Sequence, residues 1–114
     1  MTTPRDNSPT SQPGGTMLYA VLFTDDDAHA DARARLMPAH LDFLERHRDR
    51  IRAAGPLRES ADGTPAGGLW LVEAEGAEAV AALYRADPLW PTGLRKTVRV
   101  LQWSRVFADG RRLV

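Results

Sequence analysis

The stretch M-P-A-H-L-D-F-L-E-R-H-R-D-R-I-R-A-A-G, Met37 to Gly55, carries the reading of the fold. On a helical wheel Leu36, His40, Phe43, Leu44, His47, Ile51 and Ala54 share one arc, and Asp42, Glu45, Arg46, Asp49 and Arg50 fall opposite. This pattern predicts an amphipathic helix. Pro38 suits its first turn, where a missing N–H costs nothing, and Gly55 followed by Pro56 forms a usual stop. His40 then sits in the middle of the apolar face, an ionisable ring directed inward. His47 lies further along the same arc.

Upstream, Ala28 to Leu36 is rich in helix formers, with Arg33 and Arg35, and predicts a short helix that kinks or restarts at Pro38. Before it, M-L-Y-A-V-L-F (Met17 to Phe23) reads as a central strand. Its lack of alternation implies burial on both faces, or one face on helices and the other on a partner chain. The acidic run Asp25, Asp26, Asp27 resembles a metal site, but carboxylates there also serve a loop and helix N-cap, the reading adopted. Residues 1–16 hold three prolines, two glycines and, after Met1, no large apolar side chain, and are read as a disordered tail. Residues 17–114 are the expected domain. A chain starting at Met17 should melt within a few degrees of the full one.

Downstream, G-P-L-R-E-S predicts a second strand, A-D-G-T-P a turn around Asp62 and Gly63, and Gly67 to Ala74 the returning strand. A second helix from Gly76 carries Val80, Leu83, Tyr84 and Asp87 on one face and ends at Pro88. A carboxylate at the end of an inward stripe needs a partner. Trp90 falls in the following loop. The last strand is expected over Thr97 to Phe107, with arginines beside Leu101, Trp103 and Phe107 on one side and valines on the other. The order strand, helix, strand, strand, helix, strand is the split β-α-β arrangement of the α+β ferredoxin-like class. Both helices cover one sheet face. The other has none left, which implies that two chains pair through their sheets as a homodimeric α+β barrel.

Composition narrows the function. A chain of 114 residues forms one domain, and fifteen Lys and Arg against fifteen Asp and Glu leave no net charge to attract nucleic acid or an anionic membrane. The absence of cysteine excludes disulfides, thiolate nucleophiles and Cys-based metal sites. There is no apolar run long enough to span a bilayer and no charged-then-apolar leader pattern, so a cytoplasmic location is expected. A metal shared by His40 and His47 is disfavoured, since seven helical residues separate them by roughly 10 Å. No cofactor is implied.

Short matches at ordered spacing carry a family resemblance: M-L-Y-A-V-L-F, P-A-H-L at 38–41, G-P-L at 55–57, D-G at 62–63, and A-D-P at 86–88 with Gly93. Over 17–107 the chain resembles the YciI-like (YCII-related) domain family. The resemblance implies a ferredoxin-like fold, dimerisation, and a catalytic His–Asp pair at His40 and Asp87. It also implies a role for Arg33, seven residues before the histidine, in binding substrate, with Trp90 as the aromatic candidate. Two positions depart from the pattern: Met37 stands where an arginine often precedes P-A-H, and Leu89 where a tyrosine commonly follows D-P. Some members are implied to act in lyase-like or dehalogenating steps on small aromatic compounds.

An imidazole can take or give a proton near neutral pH, and a carboxylate on its other nitrogen would set its tautomer, so proton abstraction is the natural chemistry. Without a cysteine or a Gly-x-Ser-x-Gly elbow, acyl transfer through a covalent intermediate has no support. Two questions stay open from the residues alone. The partner of His40 is either Asp87 or Asp25 at the end of the first strand. The scaffold serves either a small enzyme or a non-catalytic dimer that binds a small molecule or protein.

Overall fold

The computed structural model describes residues 15–114. Strand β1 (Met17–Asp25) leads through a 3₁₀ turn (Asp27–His29) into helices α1 (Asp31–Arg35) and α2 (Met37–Arg46). Strands β2 (Ile51–Arg58) and β3 (Pro65–Ala74) follow, then helix α3 (Ala77–Arg85), a 3₁₀ turn (Trp90–Thr92) and β4 (Arg95–Gln102). The four strands form an antiparallel sheet in the order β2-β3-β1-β4, the ferredoxin-like α+β topology. Two short strands, β5 (Phe107–Ala108) and β6 (Arg111–Arg112), make a separate hairpin. The tail reading falls almost wholly on residues 1–14, outside the described ones.

Alternation along the central strands sorts their side chains. Tyr19, Val21 and Phe23 of β1 and Trp70, Val72 and Ala74 of β3 point to the helices and are buried with Phe43, Val80, Leu83 and Tyr84. Leu18, Ala20, Leu22, Leu69 and Leu71 point the other way and are only half-buried. The run M-L-Y-A-V-L-F is therefore apolar throughout because one face meets the helices, while the other forms an open apolar surface.

The helix ends earlier than the arc of apolar residues predicts. α2 stops at Arg46, residues 47–50 turn back, and Ile51 to Gly55 belong to β2. The Ile51 and Arg50 N–H groups both donate to the His47 carbonyl, closing the turn. A continued helix would leave this side of β3 unpaired, whereas β2 sets Ile51 opposite Val72, Ala54 opposite Trp70 and Gly55 opposite Leu69. Strand pairing thus overrides the local helix preference of I-R-A-A. Gly55 and Pro56 are consequently not a helix stop. β2 is an edge strand, where a residue without an N–H is tolerated.

The restart at Pro38 is present: Leu36 leaves helical geometry between α1 and α2, and Pro38 lies in the first turn of α2. The Asp26 carboxylate accepts the Ala28 N–H and caps the 3₁₀ turn, as expected for the acidic run. At Asp62, hydrogen bonds from the Thr64 hydroxyl and backbone hold the exposed carboxyl below its ordinary range and tighten the β2–β3 turn.

The last strand is shorter than expected. Gln102 is paired with Tyr19 and the Trp103 N–H still donates to the Leu18 carbonyl at 2.8 Å, but β1 begins at Met17 and gives the chain no further neighbour. Phe107 therefore does not share a strand face with Leu101 and Trp103. It starts a hairpin turned by Asp109 and Gly110, both at positive φ.

Candidate active site

The loop after α3 is what brings the two ends of the site together. Leu89 and Leu94 are fully buried with Ala32 of α1, and Leu36 packs beside them. This small second core draws residues 87–94 against α1 and the start of α2. Within the combined α1–α2 stretch His40 lies near the middle, so the turn beyond the end of α3 reaches it. His40 Nδ1 and Asp87 Oδ1 are 2.8 Å apart, both residues being buried. The same carboxylate oxygen accepts the Leu89 N–H at 3.3 Å. An ionised carboxylate can only accept, so in the neutral ring this contact favours the tautomer with the proton on Nδ1 and the lone pair on Nε2. Nε2 has no hydrogen-bond partner among the described residues.

His40 lines a cavity of about 100 Å³ between α2 and the sheet. Trp70 lies behind the imidazole, ring centroids 6.2 Å apart, and Met37, Leu41, Leu44 and Pro56 make the wall largely apolar. Arg33 and Arg95 supply its charge. The volume is well below that of a pocket for a drug-sized ligand, so the cavity suits a molecule of about one ring.

Asp25 does not approach His40. Its carboxylate is held between two guanidinium groups: Arg33 Nη2 donates to Oδ2, and Arg95 Nη1 to Oδ1 at 3.1 Å. The alternative of an Asp25–His40 pair is thereby replaced by an Arg33–Asp25–Arg95 network, since a carboxylate flanked by two permanent cations has no need of a neutral ring. Arg95 has its guanidinium 4.3 Å over the Phe23 ring, with a side chain only 3% exposed. Burial pushes its pKa down, while the charge and hydrogen bond of Asp25 act against that shift.

Of the residues expected to form a site, the structure brings together His40, Asp87 and Arg33. Trp90 is placed elsewhere: its ring lies 5.0 Å from that of Tyr84, and it is not among the residues lining the cavity. The indole packs on the core because Pro91 and the buried Leu89 fix the turn around it. His47 is the C-cap of α2, its ring 4.6 Å from Phe43, a structural position. Arg95 is the residue the sequence reading passed over. In R-K-T-V-R-V it looks like any arginine of an alternating strand, and only its register opposite Asp25 distinguishes it. Among the described residues no group of three or more His, Asp or Glu could hold a metal ion, and no helix is long and apolar enough to cross a membrane.

An α+β ferredoxin-like domain with a buried His–Asp pair opening on a small apolar cavity defines the class. The YCII-related domain matches residues 17–104, and the chain belongs to that family. Among solved structures it is similar to 5-chloro-2-hydroxyhydroquinone dehydrochlorinase (TftG) from Burkholderia phenoliruptrix AC1100, determined in complex with 2,5-dihydroxybenzoquinone. That similarity has 27% sequence identity and a TM-score of 0.68, covering 77% of this chain and 94% of the dehydrochlorinase. No curated protein matches the chain.

Proposed function

We propose that the protein is an acid–base enzyme of the lyase or dehalogenase type, acting on a small hydroxylated ring. The observation that carries this reading is the 2.8 Å contact between His40 Nδ1 and Asp87 at the wall of a cavity. Nε2 of His40 accepts a proton from the bound ring, and Asp87 stabilises the imidazolium that forms. A halide on the ring then departs with its bonding pair, so the substrate loses a proton and a chloride with no change of oxidation state in the protein. The proton passes from Nε2 to solvent when product leaves. The likeness to a dehydrochlorinase supports this choice among acid–base reactions, and the apolar wall suits an aromatic ring.

The test is chloride release from 5-chloro-2-hydroxyhydroquinone and related chlorinated hydroxyhydroquinones, followed with a halide-sensitive electrode. Turnover above the uncatalysed rate supports the reading. A protein that binds these rings without releasing chloride would instead be a non-catalytic small-molecule-binding module on the same scaffold.

The open sheet face supports a homodimer as the working form. Leu18, Leu22, Leu69 and Leu71 lie there half-buried, and Leu101 is 39% exposed at its edge, a contiguous apolar surface unusual for a monomer. Light scattering is expected to give roughly twice the 12.6 kDa chain mass. A monomer at micromolar concentration would remove the barrel arrangement.

A further inference from the structure

Arg95 is a buried cation whose hydrogen-bonding capacity is mostly unused. Its side chain is 3% exposed, and among the described residues it has a single hydrogen-bond partner, Asp25. The remaining N–H donors of a guanidinium do not stay unpaired in a low-dielectric site without cost. Asp25 is already shared with Arg33, and Asp87 is the second carboxylate whose charge acts on Arg95, so what the guanidinium lacks is acceptors for its donors and not counter-charge. The other nearby carboxylate, Asp87, has Oδ1 committed to His40 and to the Leu89 N–H. Both arginines line the same cavity as His40. Gly68 leaves room for the guanidinium there, since a Cβ built on it would lie 3.2 Å from Arg95 Nη1.

We propose that the cavity takes a small ring bearing one anionic oxygen, a carboxylate or an ionised hydroxyl, and that Arg95, with Arg33 beside it, is the residue that selects it. This deepens the acid–base reading and rests on it for the location of the site. The anion supplies the acceptor that the unused donors lack. The apolar wall receives the ring, and the anionic oxygen turned to Arg95 fixes which edge of the ring faces His40. Asp25 positions Arg95 and does not touch the ligand.

The experiment measures binding to the intact protein by calorimetry and by displacement of the His40 ring signals in NMR. The probes are benzoate, 4-nitrophenolate at pH 8, and benzamide, the uncharged match of benzoate. Benzoate or 4-nitrophenolate should bind at least about tenfold more tightly than benzamide, and whichever is tighter identifies the preferred oxygen. Arg95→Gln should weaken the better anion by about ten- to hundredfold while leaving benzamide unchanged. Gly68→Ala, which keeps the charge but crowds the guanidinium, should weaken the anion in the native background and add nothing in an Arg95→Gln background. Equal binding of anions and benzamide, an Arg95→Gln protein with undiminished anion affinity, or no binding of any probe would overturn the proposal. If Arg95→Gln has no effect while His40→Gln still abolishes turnover, the anion site alone fails and the acid–base reading stands.

Discussion

His40→Gln is expected to lower turnover at least ~10²-fold while leaving the melting temperature within a few degrees of the parent. The glutamine amide has a similar reach and can still donate to Asp87, so the buried carboxylate keeps a partner. It offers no basic nitrogen to the cavity. A purely structural histidine would behave the other way. Replacing it would cost about 1–3 kcal/mol through an imperfectly satisfied buried polar group, and would leave any activity proportionate to the folded fraction. Turnover and thermal melting measured on the same preparation separate the two. A variant that keeps its activity but melts much lower would reduce the His40–Asp87 contact to a packing feature.

Gly67→Ala is expected to have the largest effect on stability of any glycine-to-alanine change among the described residues. Gly67 has φ +105°, a conformation L-residues rarely adopt, and a Cβ there would lie 1.9 Å from the Phe23 carbonyl oxygen. That atom belongs to backbone, in the central β1–β3 pair where Phe23 faces Gly68, so it can move only if the strands part. Backbone strain alone costs on the order of 1–3 kcal/mol. The clash adds to it, against a total stability of about 5–15 kcal/mol for a domain of this kind. A fall in melting temperature of more than about 10 °C is the expected result by circular dichroism. Gly55→Ala is the control, because a Cβ at Gly55 meets nothing within 4 Å. Equal melting of the two variants would show that the β1–β3 contact at Gly67 is looser than described.

The parts of the fold legible in the sequence are those where local pattern and tertiary environment agree. His40 and Phe43 are buried as their arc requires, α3 directs Val80, Leu83 and Tyr84 inward, and Asp26 caps the turn after β1. Where they disagree, the pattern misleads. Ile51 and Ala54 continue the helical arc, yet they pair with β3, because a strand's hydrogen-bonding neighbour lies far along the chain and leaves no periodic mark. The early end of β4 has the same origin, since it is set by where β1 begins. From the residues themselves His40 and Asp87 are two candidates 47 residues apart, and only the family resemblance pairs them. What joins them is the small core of Ala32, Leu89 and Leu94, residues with no chemistry of their own. Arg95 was illegible because a charged residue on an edge strand is usually solvated, and its burial depends on Phe23, Gly68 and Asp25 converging from two other strands.

In the proposed mechanism Asp87 holds the proton of His40 on Nδ1 and leaves Nε2 as the base. The ¹⁵N chemical shifts of the His40 ring, recorded by NMR on selectively labelled protein at a pH where the ring is neutral, test it directly. A protonated Nδ1 and a bare Nε2 are expected. Asp87→Asn, whose side chain can donate as well as accept, should relax this preference toward a mixture of tautomers. A native ring that carries its proton on Nε2, or a tautomer indifferent to Asp87→Asn, would contradict it.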